Sequence, residues 1–175
     1  MRGDKLIFEI RTYGDPVLRT ENKNVEKIDD NIREILENMV ETMRDVSGIG
    51  LAAPQVGINL RMFVVEAEEG VVKKVINPKF IEYAKKCIDH EEGCLSVPGI
   101  HKKVKRPESL RVQYLNENGE SVEEELEDLW ARAFQHENDH LEGILFVDKI
   151  SPVAKRLVTK KLMNMKKETL KSLGK

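Results

Sequence analysis

The sequence predicts an α+β fold in which antiparallel strands surround a central helix, with a further helix towards each end. Three observations carry that expectation. Segment 29–44 places Ile32, Ile35, Leu36, Met39, Val40 and Met43 at three- and four-residue spacing, as an amphipathic helix does. Runs rich in β-branched residues are separated by Glu69-Gly70 and by Asn116-Glu117-Asn118-Gly119, which reads as antiparallel pairing. Segment 129–141 is helical in pattern and apolar on more than one side, which marks a buried helix.

Length and charge narrow the function classes. A chain of 175 residues suits a single domain, residues 1–175, with a substantial core. Its 29 basic and 31 acidic residues give a formal charge of −2. That argues against a DNA or general nucleic-acid binder, whose footprint is a basic excess. Two cysteines, Cys87 and Cys94, are too few for a disulfide framework. Segment 1–10 carries Asp4 and Glu9 where a secretory leader is apolar, and no apolar run reaches membrane-spanning length. The expectation is a cytoplasmic protein with reduced thiols and no membrane partner.

Residues 1–28 read as an irregular arm, with a short helical turn after Asp15-Pro16 because proline suits a first turn. Helix 29–44 follows, capped by Asp29 or Asp30 and stopped at Ser47-Gly48. In Gly48-Ile49-Gly50-Leu51-Ala52-Ala53-Pro54-Gln55-Val56-Gly57, two glycines flank Ile49 and leave backbone that another chain can approach closely. Gln55 is the lone side-chain donor there. Strands are expected at 61–66 and 71–76, joined as a hairpin, with another short strand at 80–84. Val104, Leu110, Val112 and Tyr114 mark further strands, and the turn at 116–119 leads into an antiparallel strand at 121–126.

Asp128 is the expected cap of helix 129–141. Trp130, Phe134 and Leu141 share one face of that helix, and Leu129 and Ala133 share the histidine face. A last helix at 152–171 turns Ala154, Leu157, Val158, Leu162 and Met165 inward, and its many lysines read as a solvated face.

The chemistry centres on His136-Glu137-Asn138-Asp139-His140. Imidazoles four residues apart project from one helix face, one turn above the other, so both can bind one metal ion. Glu137 then stands beside the metal, where it handles protons without being a ligand. This makes 129–141 a central metal-bearing helix; buried imidazoles with no partner would be costly.

A catalytic metal needs a third ligand, commonly His, Glu or Cys. No His or Cys follows His140, and the two later glutamates, Glu142 and Glu168, lie in no metal-site pattern. Upstream, Cys94 offers a soft thiolate between Gly93 and Pro98-Gly99, although a lone cysteine after glycine also reads as a small buried hydrophobe. The expected set is Cys94, His136 and His140 with the fourth position open to water. Cys87 and His90 stay as alternatives on spacing; His101 opens a charged run and is the weaker choice.

Three motifs in register resemble the signatures of the peptide deformylases, in their compact bacterial form. They are Gly48-Ile49-Gly50-Leu51-Ala52-Ala53-Pro54-Gln55, Glu92-Gly93-Cys94-Leu95-Ser96 and Gln135-His136-Glu137-Asn138-Asp139-His140, the last continued by Leu141-Glu142-Gly143-Ile144-Leu145-Phe146. The likeness runs from the first helix to the last. It implies a metal-dependent hydrolase that removes the formyl group from the formyl-methionine of nascent polypeptides and releases formate. Carried over position by position, it implies that Cys94, His136 and His140 hold the metal and that Glu137 is the general acid/base. Gln55 and the backbone N–H of Leu95 would form the oxyanion hole. Ferrous iron is the implied native metal, with zinc, nickel or cobalt as other occupants.

Ile49, Leu129 and Ala133 are the expected pocket for the methionine side chain, beside the stems of His90 and Arg132. Gly50 and Gly93 are further substrate-binding positions, and the backbone of Ile49-Gly50 could pair with the substrate as an added strand. In relatives the last helix reaches the ribosome near the tunnel exit, which makes Lys155, Arg156, Lys160, Lys161, Lys166, Lys167 and Lys171 candidate contacts. Two rivals share the pentapeptide or the metal: a zinc endopeptidase of the HExxH type, and a non-catalytic module built around a structural metal.

Overall fold

The computed structural model describes residues 5–175; residues 1–4, the start of the expected arm, lie outside the described residues. The arm closes with a short 3-10 turn, Pro16–Arg19, where the Asp15 side chain accepts from the Val17 N–H at 3.0 Å. The first helix, Asp30–Asp45 (α1), is capped as expected, with the Asp29 carboxylate accepting from the Ile32 N–H at 3.1 Å. Seven strands then follow among the described residues: Gly50–Ala52 (β1), Met62–Glu68 (β2), Val71–Tyr83 (β3), Cys87–Cys94 (β4), Val97–Pro107 (β5), Ser109–Leu115 (β6) and Ser121–Glu127 (β7). Two helices complete the chain, Asp128–Leu141 (α2) and Pro152–Ser172 (α3).

The strands form an antiparallel five-stranded sheet in the order β1-β2-β3-β6-β7 and a separate β4-β5 hairpin. Strand β2 explains the layering. Its side chains alternate, so Met62 and Val64 join α1 in one apolar cluster while Phe63 and Val65 join Phe134, Ala131 and Leu141 of α2 in another. The sheet therefore separates α1 from α2. Phe63 and Phe134 meet edge-to-face with ring centroids 5.2 Å apart, which locks α2 onto the sheet. A third cluster joins Val97, Ile100 and Val104 of β5 to Phe146, Val147, Val158 and Leu162. Arg132 of α2 bonds the Val104 and Ile88 carbonyls of the hairpin, so α2 lies between the sheet and the hairpin. No helix among the described residues is long and apolar enough to cross a membrane.

Four local expectations are corrected. Segments 71–76 and 80–84 belong to one strand, β3, whose ladder shifts between Ile76 and Lys79. Pro78 has no N–H to give, and Asn77 adopts a left-handed φ of +51°. The Asn77 amide uses that break to hold the arm, pairing with both backbone groups of Val25 at 2.8 and 2.9 Å. Strand β4 had no counterpart in the sequence reading. Asp128 is not the cap of α2; Glu127 holds that position, and the Asp128 N–H is spent on the Glu108 carbonyl at 3.2 Å. Leu157 points outward, 73% exposed, because α3 touches the molecule along the line Val158, Leu162 and Thr169.

Candidate metal centre

Helix α2 presents His136, Glu137 and His140 towards the end of β4, where Cys94 lies. The β4-β5 ladder shifts register between Glu92 and Cys94, a bulge that changes the aim of both side chains. As a result the Cys94 Sγ lies 3.4 Å from His140 Nε2, and one donor atom each from Cys94, His136 and His140 falls within 4.8 Å of the others. A tetrahedral ion at ordinary metal–sulfur and metal–nitrogen lengths separates such donors by about 3.6 Å. The three side chains fit a metal ion. Cys87 is exposed and takes no part, and His90 and His101 line the adjoining cleft instead.

The two imidazoles shift in opposite directions. Burial, with the charge on His136 added, pushes His140 well below its ordinary value and so towards the neutral form that ligates. Burial acts the same way on His136, but hydrogen bonds with Cys94 and Glu92 hold its proton, well above the ordinary value. A cation bound by the three side chains would replace that proton.

Behind the ligands is a buried network of charges. Glu92 Oε1 is 2.8 Å from His136 Nδ1, which leaves Nε2 for a metal. The Arg106 guanidinium grips Glu92 through two bonds of 2.6 and 2.9 Å and reaches Asp139 at 2.9 Å. Arg132 adds 2.7 Å to Glu92 and donates to the carbonyls of Val104 and Ile88. Burial alone would raise Glu92, yet the bonds from His136 and Arg106 and their charge hold it well below the usual carboxylate range. Sequence reasoning missed this network. Its one sequence sign is Arg106, which shares a strand face with the inward Val104.

Glu137 is buried and lines the cleft, and its Oε2 has no hydrogen-bond partner. Burial pushes its carboxyl up to about 7. The carboxylate packs directly on Gly50, where an added Cβ would lie 2.9 Å from Glu137 Cδ and Cγ. Gly50→Ala should therefore displace the carboxylate and lower kcat on the order of 10²-fold without metal loss. Steady-state rates and metal content of the purified variant check this.

Gln55 sits in the 3-10 turn Ala53–Val56 after β1 and is 1% exposed. Its Oε1 accepts from the Ala52 N–H at 2.9 Å, so Nε2 must face the site, 3.6 Å from the Cys94 sulfur. Leu95 occupies the turn between β4 and β5. A cleft of about 530 Å³ opens over these groups, lined by Gln55, Gly93, Leu95, Ala133, His136 and Glu137 among others. Gly50 and Arg132 line it as well. Ile49 and Leu129, 45% and 43% exposed, flank it as apolar residues open to an incoming chain. Every predicted substrate-binding position thus borders one cleft.

Comparison with known proteins gives the same answer along nearly the whole chain. Residues 7–156 match the family model described as polypeptide deformylase. A peptide deformylase of Fusobacterium nucleatum is 52% identical over 166 residues, covering 94% of this chain and 95% of that protein. The crystal structure of a Thermotoga maritima peptide deformylase superposes with a TM-score of 0.82 at 48% identity, covering 84% of this chain and 99% of that one. Peptide deformylase 1B of Arabidopsis thaliana, crystallised with an inhibitor, gives a TM-score of 0.92 at 37% identity, with 96% and 95% covered. The Cys94 sulfur and the imidazoles of His136 and His140 meet beneath the cleft within the matched stretch, and this chain belongs to the polypeptide deformylase family.

Proposed function

We propose that Cys94, His136 and His140 hold a ferrous ion, and that Glu137, Gln55 and the Leu95 amide carry the family reaction on it. That reaction is hydrolysis of the N-terminal formyl group of nascent polypeptides, with release of formate. The observation that carries the reading is the Cys94 sulfur 3.4 Å from His140 Nε2, with the buried Glu137 carboxylate next to His136. When bound, the metal acidifies water and polarises a carbonyl. Glu137 accepts the proton of the attacking water and returns it to the departing amine, since an amide nitrogen leaves poorly without one. Charge that builds on the formyl oxygen is met by Gln55 Nε2–H and the Leu95 N–H.

Around that centre, the methionine side chain enters beside Ile49, Leu129 and Ala133, and the backbone at Ile49-Gly50 pairs with the peptide. Main-chain pairing is indifferent to side chains, which suits an enzyme that processes most nascent chains. A sulfur ligand and the matched deformylases speak against the zinc-endopeptidase reading, and a cleft over the ligands speaks against a purely structural metal.

The test is formate release from a formyl-methionyl peptide by protein loaded anaerobically with iron. Release of formate with no cleavage of unformylated peptides supports the reading; peptide-bond cleavage without formate would overturn it. The same preparation tests the metal. A ferrous centre beside a thiolate is an oxidation liability, so the iron form should lose activity in air while a nickel form keeps it. Equal lifetimes of the two forms would count against iron.

The same reading places the enzyme in the cytoplasm, with α3 directed to the ribosome. Lys155 and Lys161 are engaged with the Val147 and Gly99 carbonyls, at 2.9 and 2.6 Å. Arg156, Lys160, Lys167 and Lys171 are exposed, as are Val153, Leu157 and Met163. Co-sedimentation with ribosomes should weaken with salt and with reversal of Arg156, Lys160 and Lys167. Salt-independent binding, or none, would remove the electrostatic basis.

A further inference from the structure

Ser96 is fully buried, with its hydroxyl 3.1 Å from the Gln55 amide nitrogen, and the chemistry above gives it no part. We propose that Ser96 is a positioning residue that fixes the Gln55 amide for the developing oxyanion, a role that rests on the oxyanion reading of Gln55. A glutamine amide is free to rotate about its last bond unless both of its ends are held. Here the Ala52 N–H, which can only donate, holds Oε1 at 2.9 Å. One N–H of Nε2 is taken by the Ser96 oxygen. The second is then left to one direction, the Cys94 side of the site, where Nε2 lies 3.6 Å from the sulfur.

The frame that carries both residues is fixed as well. The Arg11 N–H donates to the Gln55 carbonyl at 2.7 Å, and the Tyr13 N–H donates to the Ser96 carbonyl at 2.7 Å. Two residues of one segment of the arm thereby bracket the turn after β1 and the turn after β4, although 41 positions separate Gln55 from Ser96. Without the hydroxyl the amide plane would be held at Oε1 alone, and the donor would spend less of its time aimed at the substrate oxygen.

A double-mutant cycle on the metal-loaded enzyme tests this, with a formyl-methionyl tripeptide as substrate and kcat, KM and metal content as readouts. Gln55→Ala should lower kcat about 10²–10³-fold. Ser96→Ala should lower kcat about tenfold, the scale of one hydrogen bond, with KM and metal content unchanged. In the Gln55→Ala background, Ser96→Ala should cause no further loss. Ser96→Cys keeps a weaker, longer partner and should fall between; it reads the same cycle if the alanine variant does not fold.

A wild-type kcat in Ser96→Ala beside a damaged Gln55→Ala overturns the proposal and leaves the oxyanion reading standing. The same holds if the two losses multiply, or if the Ser96→Ala loss follows metal release through Cys94. An unchanged kcat in Gln55→Ala instead removes the oxyanion reading itself, and the proposal with it.

Discussion

Replacing Glu137 by glutamine should lower kcat for formate release by about 10²–10⁴-fold while the metal stays bound. Glutamine keeps the shape of the side chain, so the tight packing of residue 137 against Gly50 survives. On the proposed reading, what disappears is the acceptor for the water proton and the acid that returns it. None of the three donors that meet at the centre belongs to Glu137, so the exchange leaves them in place. Rates measured beside metal content decide the matter. A variant that loses metal in step with activity would make Glu137 structural, and one that keeps its rate would remove it from the chemistry.

Glu92→Ala should destabilise the fold by about 3–5 kcal/mol, because it leaves buried guanidinium charge uncompensated. The Arg106 and Arg132 side chains are only 3% and 9% exposed, and both donate to Glu92. Arg106 would keep Asp139, and Arg132 would keep two carbonyls, yet neither replaces the lost anion. The same change strips His136 Nδ1 of its acceptor, so metal affinity should fall about 10–100-fold. Denaturant unfolding of the metal-free protein isolates the first effect, and chelator competition reads the second. Wild-type stability in the variant would show that the network is compensated elsewhere.

The network also sets a pH dependence. Glu92 ionises below its ordinary 4.5 in the folded chain, so its contribution is present above that value. It is lost as pH falls towards the depressed folded value. Acid unfolding should begin at higher pH once Glu92 is gone.

Legibility in the sequence followed the size of the periodic signal. Helix α1 was readable because six apolar side chains repeat along one face, and α2 because its histidines stand four apart on an apolar background. Strand β4 was not. Its residues are largely charged, with Asp89 in register opposite Lys105 and Glu91 opposite Lys103, and the ladder to β5 orders it with little apolar alternation. Leu157 had the right spacing and still faces solvent, since periodicity gives the phase of a stripe but not the width of the surface that covers it.

In the sequence alone a helix turn pairs His136 with His140 and leaves Cys94 as the expected third donor beside Cys87 and His90, while the oxyanion role of Gln55 is what the resemblance to the deformylase motifs implies. Local sequence could not say that Cys94, 42 residues before His136, would approach to bonding range, nor that Arg106 would join Glu92 to Asp139 beneath the imidazoles. Those meetings depend on a bulge in one hairpin and on the sheet that holds α2 against it. A buried charge is costly unless it is paired, and only the packed fold decides which distant residue is within reach to pair it.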